Sequence, residues 1–359
     1  MASSLRPSSL ASFSVWIPLV FLAVSAPGCA SCSGAGQGLL GVMPGAINDP
    51  GNRSLRRAIL QYGLDQFCQQ MTTHNAPLTM TADAPNIGRF YPRTCAQRQL
   101  DNGDLVVSFS GEGYAFTNVS KKVTFTSSGT VEYDQDFLLD GSTMYAYFRT
   151  KNVQQSGFTT HLIEQPIASL VNAMSPMADT MGKQLLATQL SAGFTVIRDS
   201  SGSAEFGLGI IEKGKRPQQP FDVHGDGRIT YENSRVEVHQ NERDFLGPIA
   251  VDDDGRALYV TATVDGLPID VMIMDRNSGD QSIRYYLDYA AVGPLAGQPM
   301  LSDVAQPGVQ YKRTFPVPKG QYYVVFDNSA SAGTVAPPNN PLDDRAATVS
   351  YVVQIGDAP

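Results

Sequence analysis

Two of the four cysteines in this chain have a position that indicates a structural role. Cys68 and Cys95 lie in the body of the sequence, well separated from the other two, which are near its start. In an oxidising compartment, two isolated cysteines are more often bridged than free. A bridge between them would stabilise the fold by roughly 3 kcal/mol through its effect on the unfolded chain. We therefore predict a disulfide between Cys68 and Cys95.

Three consecutive acidic residues are the best candidate for a metal site. Asp252, Asp253 and Asp254 precede Gly255 between two predicted strands. Calcium is bound by several carboxylate and carbonyl oxygens, and loops with this composition can supply them. These three residues are therefore candidate calcium ligands. The simpler interpretation is a charged turn that needs no ligand.

Residue types used in catalysis are present, but not at the spacing that known motifs require. The histidines do not form a paired zinc motif. They are His74, His161, His224 and His239. The chain also lacks a Gly-x-Ser-x-Gly elbow, a phosphate-binding loop and a dinucleotide fingerprint. A catalytic carboxylate pair is recognised by its separation in space, which a sequence does not provide. We therefore predict a protein that is not an enzyme and binds no cofactor.

An apolar run near the start indicates the compartment in which the protein folds. Residues 15–24 are apolar apart from one proline, and small residues and Cys29 follow them. This run has the length of the apolar region of a signal peptide and is too short to span a bilayer as a helix. We therefore predict that residues 1–28 are a signal peptide and that the protein is exported.

The same stretch resembles the signal of a bacterial exported lipoprotein. Small residues stand at the third and first positions before Cys29, namely Ala26 and Gly28, with Pro27 between them. In such signals the cysteine is lipidated and becomes the new N-terminus. The resemblance implies a lipid anchor on Cys29, and several acyl chains on one cysteine make a stable anchor. The alternative is cleavage near Ala26 or Ala30, which would release a soluble protein.

Composition and charge favour an extracytoplasmic β-protein in two parts. Charged residues make up only 17% of the chain, and hydrophobic residues make up 42%. The part from residue 29 to 220 has fifteen basic and fifteen acidic residues, whereas the rest has ten basic and nineteen acidic. The resulting net charge of −9 in the second part disfavours nucleic-acid binding, and no basic stripe is present.

The first part of the mature chain reads as a tether followed by an α+β domain. Residues 29–51 are rich in Gly, Ala and Pro and predict a flexible tether. Apolar positions three and four apart predict helices at 52–71 and 166–192. Between and after these helices, turn residues separate candidate strands of an antiparallel meander. The strands are predicted at 104–110, 113–118, 121–127, 130–138, 143–150, 158–164, 194–199 and 204–210. We predict a domain over 52–211, with 72–99 irregular.

The second part reads as an all-β domain. Residues 212–220 are polar, with two prolines and a glycine, and predict a linker. From residue 221 to 359 many short candidate strands, including one at 283–290, alternate with turns and no helix is predicted. This pattern favours a β-sandwich or jelly roll. The segment 315–328 resembles the Gly-x-Tyr strand of GOLD-type and secreted peptidase-associated sandwich domains. The fold class predicted for the chain is therefore predominantly β in two domains.

These observations predict a non-enzymatic, lipid-anchored protein of the cell envelope with a binding or structural role. Its predicted location is the outer membrane, on the periplasmic or the surface face, and its partners would be proteins or a lipophilic ligand. The first alternative is a carrier of a lipophilic ligand, because a meander covered by helices could enclose an apolar cavity. The second alternative is an extracytoplasmic hydrolase with the sandwich as an accessory module.

Overall fold

The structure is a computed structural model. It describes residues 47–52, 56, 67–73, 75–81, 84–117, 121–163, 187, 189–198, 204–223, 227–337 and 345–359. The predicted signal peptide, residue 29 and most of the predicted tether lie outside these residues, and so do most of the predicted helices at 52–71 and 166–192. Within the described part of those two helices, α1 (Phe67–Thr73) and residues 189–192 are helical.

Strands account for most of the described chain, as predicted. The first half contributes β1 (Ala76–Thr79), β2 (Asn86–Gln99), β3 (Leu105–Thr117), β4 (Lys121–Asp140), β5 (Thr143–Ile163), β6 (Phe194–Arg198) and β7 (Ala204–Leu208). The second half contributes β8 (Ile229–His239), β9 (Glu242–Val251), β10 (Arg256–Gly266), β11 (Ile269–Asp275), helix α2 (Arg276–Asp288), β12 (Leu301–Ala305), β13 (Tyr311–Val317), β14 (Gly320–Asn328) and β15 (Ala346–Asp357).

These strands form two sheets, and the larger sheet contains strands from both halves of the sequence. Its order is β13-β10-β15-β8-β2-β3-β4-β5-β6-β7, with β1 added beside β2. The halves meet where β2 and β8 pair in parallel through Asn86 and Val236. The smaller sheet has the order β12-β11-β14-β9. Nearly all other pairings are antiparallel, which agrees with the predicted meander.

The second half forms the predicted sandwich, because the smaller sheet packs on the end of the larger one. Residues on alternate positions of β11 face opposite sides, as the strand period of two requires. Ile269, Val271 and Ile273 enter the core between the sheets, together with residues of β8, β10 and β15. Met272 and Met274 face the other side and pack against α2. The central strands of the smaller sheet, β11 and β14, are therefore buried on both faces.

Helix α2 is the main departure from the predicted all-β second half, and the strand predicted at 283–290 is wrong. The helix begins at Asp275, whose side chain accepts a hydrogen bond from the backbone nitrogen of Ser278, as an N-cap does. Ile283, Tyr286 and Leu287 are buried on one face at helical spacing. The β-branched and aromatic residues suggested a strand, but the cap and this spacing determine a helix.

The strands of the first half are longer than predicted, because several glycines taken as turn signals lie inside strands. The predicted turns at 110–113 and 128–129 fall within β3 and β4. A side chain at Gly111 would come within 2.3 Å of the carbonyl oxygen of Tyr91 on the neighbouring strand, so this glycine permits a close approach of two backbones. The segment 72–99, predicted as irregular, contains β1 and β2. The hairpin at Asp140 and Gly141 is confirmed, with a positive φ of 59° at the glycine.

The predicted linker at 212–220 lies against the strands of the first half. The backbone nitrogen of Gly214 donates to the hydroxyl of Tyr145 at 3.2 Å. Arg216 forms an ion pair of 2.6 Å with Glu205 on β7. The boundaries of the two domains remain predictions, but this segment has fixed contacts on the first half.

Candidate functional site

A polar groove on the outer face of the long strands is the candidate binding site. Its volume is about 400 Å³, and it crosses β2, β3, β4 and β5. It is lined by Arg93, Ser110, Gly111, Glu112, Thr126, Ser127, Ser128, Gly157 and Thr159. Five of these nine lining residues bear hydroxyl groups, two are glycines, one is acidic and one is basic.

Strand pairing places these residues in rows across the sheet. Thr94 pairs with Ser110, Ser110 with Ser128, and Ser128 with Gly157. Side chains alternate between the two faces of a strand, so the residue that follows each of these residues lies on the opposite face of the sheet. On that face Phe90, Phe109, Phe125 and Phe158 pack into a core. The apolar face thus determines which residues of these strands face the groove.

Hydrogen bonds and one ion pair fix the side chains around the groove. The hydroxyls of Thr94 and Ser110 are 2.6 Å apart. Arg93 donates from Nε to Glu112 at 2.8 Å, and both side chains are partly exposed at the end of the groove. Ser127 is buried and donates to the carbonyl oxygen of Gly157 at 3.4 Å. The ion pair holds two planar, polar groups at a defined position.

A second cluster of polar residues is buried where the two halves of the chain meet. Arg89 on β2 is fully buried. Its guanidinium donates from Nε to Asp244 at 2.7 Å and from Nη2 to the other oxygen of Asp244 at 2.8 Å. It also donates to Glu232 at 3.0 Å, to Asn75 at 2.8 Å and to the hydroxyl of Tyr351 at 2.7 Å. All five N–H groups of the guanidinium thus have acceptors.

The electrostatics of this cluster keep Arg89 charged in the interior. Burial alone would lower the pKa of Arg89, but Asp244 and Glu232 raise it above its ordinary value. Tyr114 donates to Asp244 at 2.9 Å, and burial raises the pKa of this tyrosine well above its ordinary value. Its hydroxyl also accepts a hydrogen bond from the backbone nitrogen of Phe245 at 3.0 Å. The cluster therefore links two strands of the meander to three strands of the sandwich.

A third polar cluster lies at one end of the smaller sheet. Asp270 and Asp327 are neighbours on β11 and β14, and both are fully buried. Asp327 forms an ion pair with Arg243 and accepts a hydrogen bond from Ser329 at 2.9 Å. Burial raises the pKa of Asp327 to about 6; Arg243 opposes this shift and Asp270 adds to it.

The loop after β14 is held by the same cluster. Asp270 accepts hydrogen bonds from the backbone nitrogens of Thr334 at 3.0 Å and Val335 at 2.8 Å. Arg243 donates to the carbonyl oxygen of Gly293 at 2.7 Å, in the segment after α2. These short hydrogen bonds fasten the loop after β14 and the segment after α2 to the smaller sheet.

The structure contains the predicted disulfide between Cys68 on α1 and Cys95 on β2. It fastens the helix to the face of the sheet that holds the core formed by Leu105, Val107 and Val131. The predicted lipidation site, Cys29, lies outside the described residues. Most helices in the described ranges are short, and none is both long and apolar enough to cross a membrane.

The predicted calcium ligands lie in a turn between β9 and β10. Asp254 accepts a hydrogen bond from the backbone nitrogen of Lys319 at 2.8 Å, and Asp253 lies 4.0 Å from Arg256. The described residues contain no group of three or more His, Cys, Asp or Glu that could hold a metal ion. Calcium binding at Asp252–Asp254 stays a prediction, and the contacts of this turn are those of a charged turn.

The buried clusters have one signal in the sequence, which is a charged residue in or beside an apolar strand segment. Asp270 interrupts a run of apolar residues in β11, Asp327 directly follows such a run in β14, and Arg89 stands between Ile87-Gly88 and Phe90-Tyr91 in β2. A charged residue inside an otherwise apolar strand must find a partner when it is buried. The identity of the partner was not predictable, because Arg89 and Asp244 are 155 positions apart.

Comparisons with known proteins do not assign this chain to a family. No family model matches, and no curated protein matches. Among solved structures, the chain is similar to a glycoside hydrolase family 43 arabinoxylan arabinofuranohydrolase from Bacillus subtilis in complex with cellotetraose. The identity is 9%, the TM-score is 0.21, and the match covers 73% of this chain and 66% of that structure. A similarity at this level carries no argument about function.

Proposed function

We propose that this protein is a non-enzymatic, lipid-anchored protein of the cell envelope that binds a ligand on its outer sheet face. Cys29 would carry the anchor, and residues 29–51 would act as the tether between the membrane and the folded body. The observation that carries the binding role is the polar groove crossing β2 to β5. Ligand sites are concave, and convergent polar groups in them fix the orientation of the ligand.

The body behind the groove is well suited to hold such a site in a fixed geometry. The groove lies on strands of the same sheet that extends into the sandwich. The buried Arg89 cluster fastens β2 to β8, β9 and β15. A site on a rigid scaffold loses less conformational entropy on binding than a site on mobile loops. The rigidity of the scaffold therefore supports a binding role for the groove.

The disulfide supports export, because such bonds persist in oxidising compartments and are rare in the cytosol. The lipoprotein-like sequence before Cys29 supports anchoring. The carrier and hydrolase alternatives stay predictions. The carrier depends on helices at 166–192, most of which lie outside the described residues.

The test of the anchor is the mass and location of the mature chain in a bacterium that processes lipoproteins. The wild type is expected in the membrane fraction, with Cys29 as its lipidated first residue. Cys29→Ala should lose the lipid mass and leave the membrane fraction. Cys32→Ala is the matched control and should behave as wild type. An unmodified, soluble wild-type protein would refute the anchor.

A further inference from the structure

We infer that the polar groove binds a neutral glycan through hydrogen bonds from its hydroxyl groups. The inference rests on the proposed binding role and specifies the class of ligand. It starts from the charge of the lining. Among the described residues that line the groove, Arg93 and Glu112 are the only charged ones, and they form an ion pair with each other. The site is thus electrically neutral, and its one cation is already paired with a carboxylate. A phosphate or another strongly anionic ligand would find no uncompensated positive charge there.

The chemistry of the lining also disfavours a lipid. The side chains around the groove are hydroxyls and the ion pair, and the remaining lining residues are glycines. None of them is a large apolar residue, so an acyl chain would gain little from burial in the groove. Phe125 and Phe158 on these strands face the opposite side and are packed in the core.

The backbone of the groove gives a reason to prefer a glycan over a peptide. A peptide that extends a sheet pairs with the free edge of a strand. β3 and β4 are interior strands, and each is hydrogen-bonded to a neighbour on both sides. The backbone groups of β3 and β4 are consequently committed to the sheet, so side chains are the main groups that a ligand on this face can contact; the bulge at Arg93 on β2 is the exception. The side chains available are hydroxyls, each of which has one donor and two acceptor positions.

Sugar hydroxyls have this same dual character, so the two surfaces are complementary. Ser110, which lines the groove, uses one donor or acceptor position in its hydrogen bond with the neighbouring Thr94 and keeps further capacity for a ligand. The planar groups of Arg93 and Glu112 can each hydrogen-bond to two adjacent hydroxyls of a sugar ring. Gly157 leaves the floor open, and the volume of about 400 Å³ has room for a short oligosaccharide.

Substitutions in the groove can distinguish glycan binding at this site from glycan binding elsewhere on the protein. A Cβ at Gly157 would have only the hydroxyl oxygen of Ser128 near it, at 3.0 Å, and the φ of Gly157 is not in the left-handed region. Gly157→Leu requires the Ser128 hydroxyl to move by a few tenths of an ångström, and its side chain should fill the groove. Thr126→Val and Thr159→Val remove one hydroxyl each from exposed positions with little change of shape. Thr130→Val is the matched control, because Thr130 bears a hydroxyl on the same face of β4 but does not line the groove.

The experiment is calorimetric titration of the purified full chain with neutral tetrasaccharides of glucose, mannose and N-acetylglucosamine. A sulfated oligosaccharide serves as the anionic comparison. We expect saturable binding of at least one neutral tetrasaccharide and weaker binding of the sulfated one. Each Thr→Val change in the groove should weaken binding about fivefold, the effect of one lost hydrogen bond. Gly157→Leu should weaken it at least about tenfold, and Thr130→Val should stay within about twofold of wild type.

Three results would overturn the inference. The first is that no neutral oligosaccharide binds, and the second is that the sulfated one binds more tightly. The third is equal affinity of wild type, Thr126→Val, Thr159→Val and Gly157→Leu, all with the unfolding midpoint of wild type. If Gly157→Leu does not fold, the two threonine variants decide the question. None of these results affects the membrane fractionation of Cys29→Ala, so failure of the glycan site and failure of the lipid anchor are distinguishable.

Discussion

Replacement of Arg89 by methionine is expected to be among the most destabilising single changes in the described part of the chain. The side chain is fully buried and makes hydrogen bonds to Asp244, Glu232, Asn75 and Tyr351. Methionine matches its length but supplies no donor. Asp244 would then be a buried carboxylate without its cation, because its own side chain is only 2% exposed. Removal of one partner of a buried ion pair costs about 3–5 kcal/mol.

The matched control lies four positions further along the same strand. Arg93 forms an ion pair with Glu112, but the arginine side chain is 51% exposed. An exposed pair contributes about 0–1 kcal/mol, so Arg93→Met should lower the free energy of unfolding by no more than that. Both variants would be compared with wild type by urea unfolding, monitored by circular dichroism and tyrosine fluorescence. Because the two arginines lie on the same strand, the difference in the free energy of unfolding between the two variants measures the effect of burying the ion pair.

The same experiment examines how the two halves are coupled. β2 and β8 share only one registered residue pair, Asn86 and Val236, so the Arg89 cluster carries much of the polar connection, beside the apolar packing of Tyr91 and Tyr114 against α2 and the smaller sheet. We expect one unfolding transition for wild type and two separable transitions for Arg89→Met. Equal stability of Arg89→Met and Arg93→Met would refute the reasoning. A variant that unfolds in one transition with a large loss of stability would keep the energetic argument but refute the coupling.

Three further predictions concern other parts of the chain. Replacing Cys68 and Cys95 by serine should lower the free energy of unfolding by about 3–4 kcal/mol, measured by urea titration, because the bridge closes a loop with a sequence separation of 27. Because the pKa of Asp327 is raised to about 6, the folded state binds a proton more readily than the unfolded chain, and stability should fall as pH rises from about 4 to 6. Asp327→Asn should remove this part of the pH dependence, and identical pH profiles would contradict it. Calcium binding at residues 252–254 would raise the melting temperature reversibly, and no shift with calcium or chelator would refute it.

The features that could be predicted from the sequence are those set by local pattern. Alternation of apolar and polar residues predicted the strands, and the pair at Asp140 and Gly141 predicted a hairpin that is present. The isolated cysteines predicted the disulfide, because chemistry and compartment restrict their possible states. Ser110, Thr126, Ser127 and Thr159 lie in predicted strands and Ser128 lies in a predicted turn, but no local pattern predicted their common surface. It depends on the register of four strands, which local pattern does not specify.

The wrong predictions share a physical cause, which is that one residue type can satisfy two different constraints. Glycine permits a turn, but it also permits two strands to approach closely, as Gly111 does beside Tyr91. Local sequence does not distinguish these uses. In α2, Tyr286 and its neighbours have strand propensity, yet they are buried at helical spacing against the smaller sheet. Tertiary packing overrides such propensities.

Packing across the junction indicates that the groove and the sandwich keep a fixed relative orientation. Tyr91 and Tyr114 come from β2 and β3, yet they complete the cluster formed by α2 and the smaller sheet. Lys122 on β4 is buried and donates to the carbonyl oxygens of Tyr286 at 3.1 Å and Tyr289 at 2.8 Å, which satisfies the C-terminal end of α2. Because the aromatic cluster and the Lys122 contacts are both buried, rotation of one half against the other would expose apolar surface and unpaired polar groups. A ligand in the groove would therefore have a fixed position relative to the sandwich.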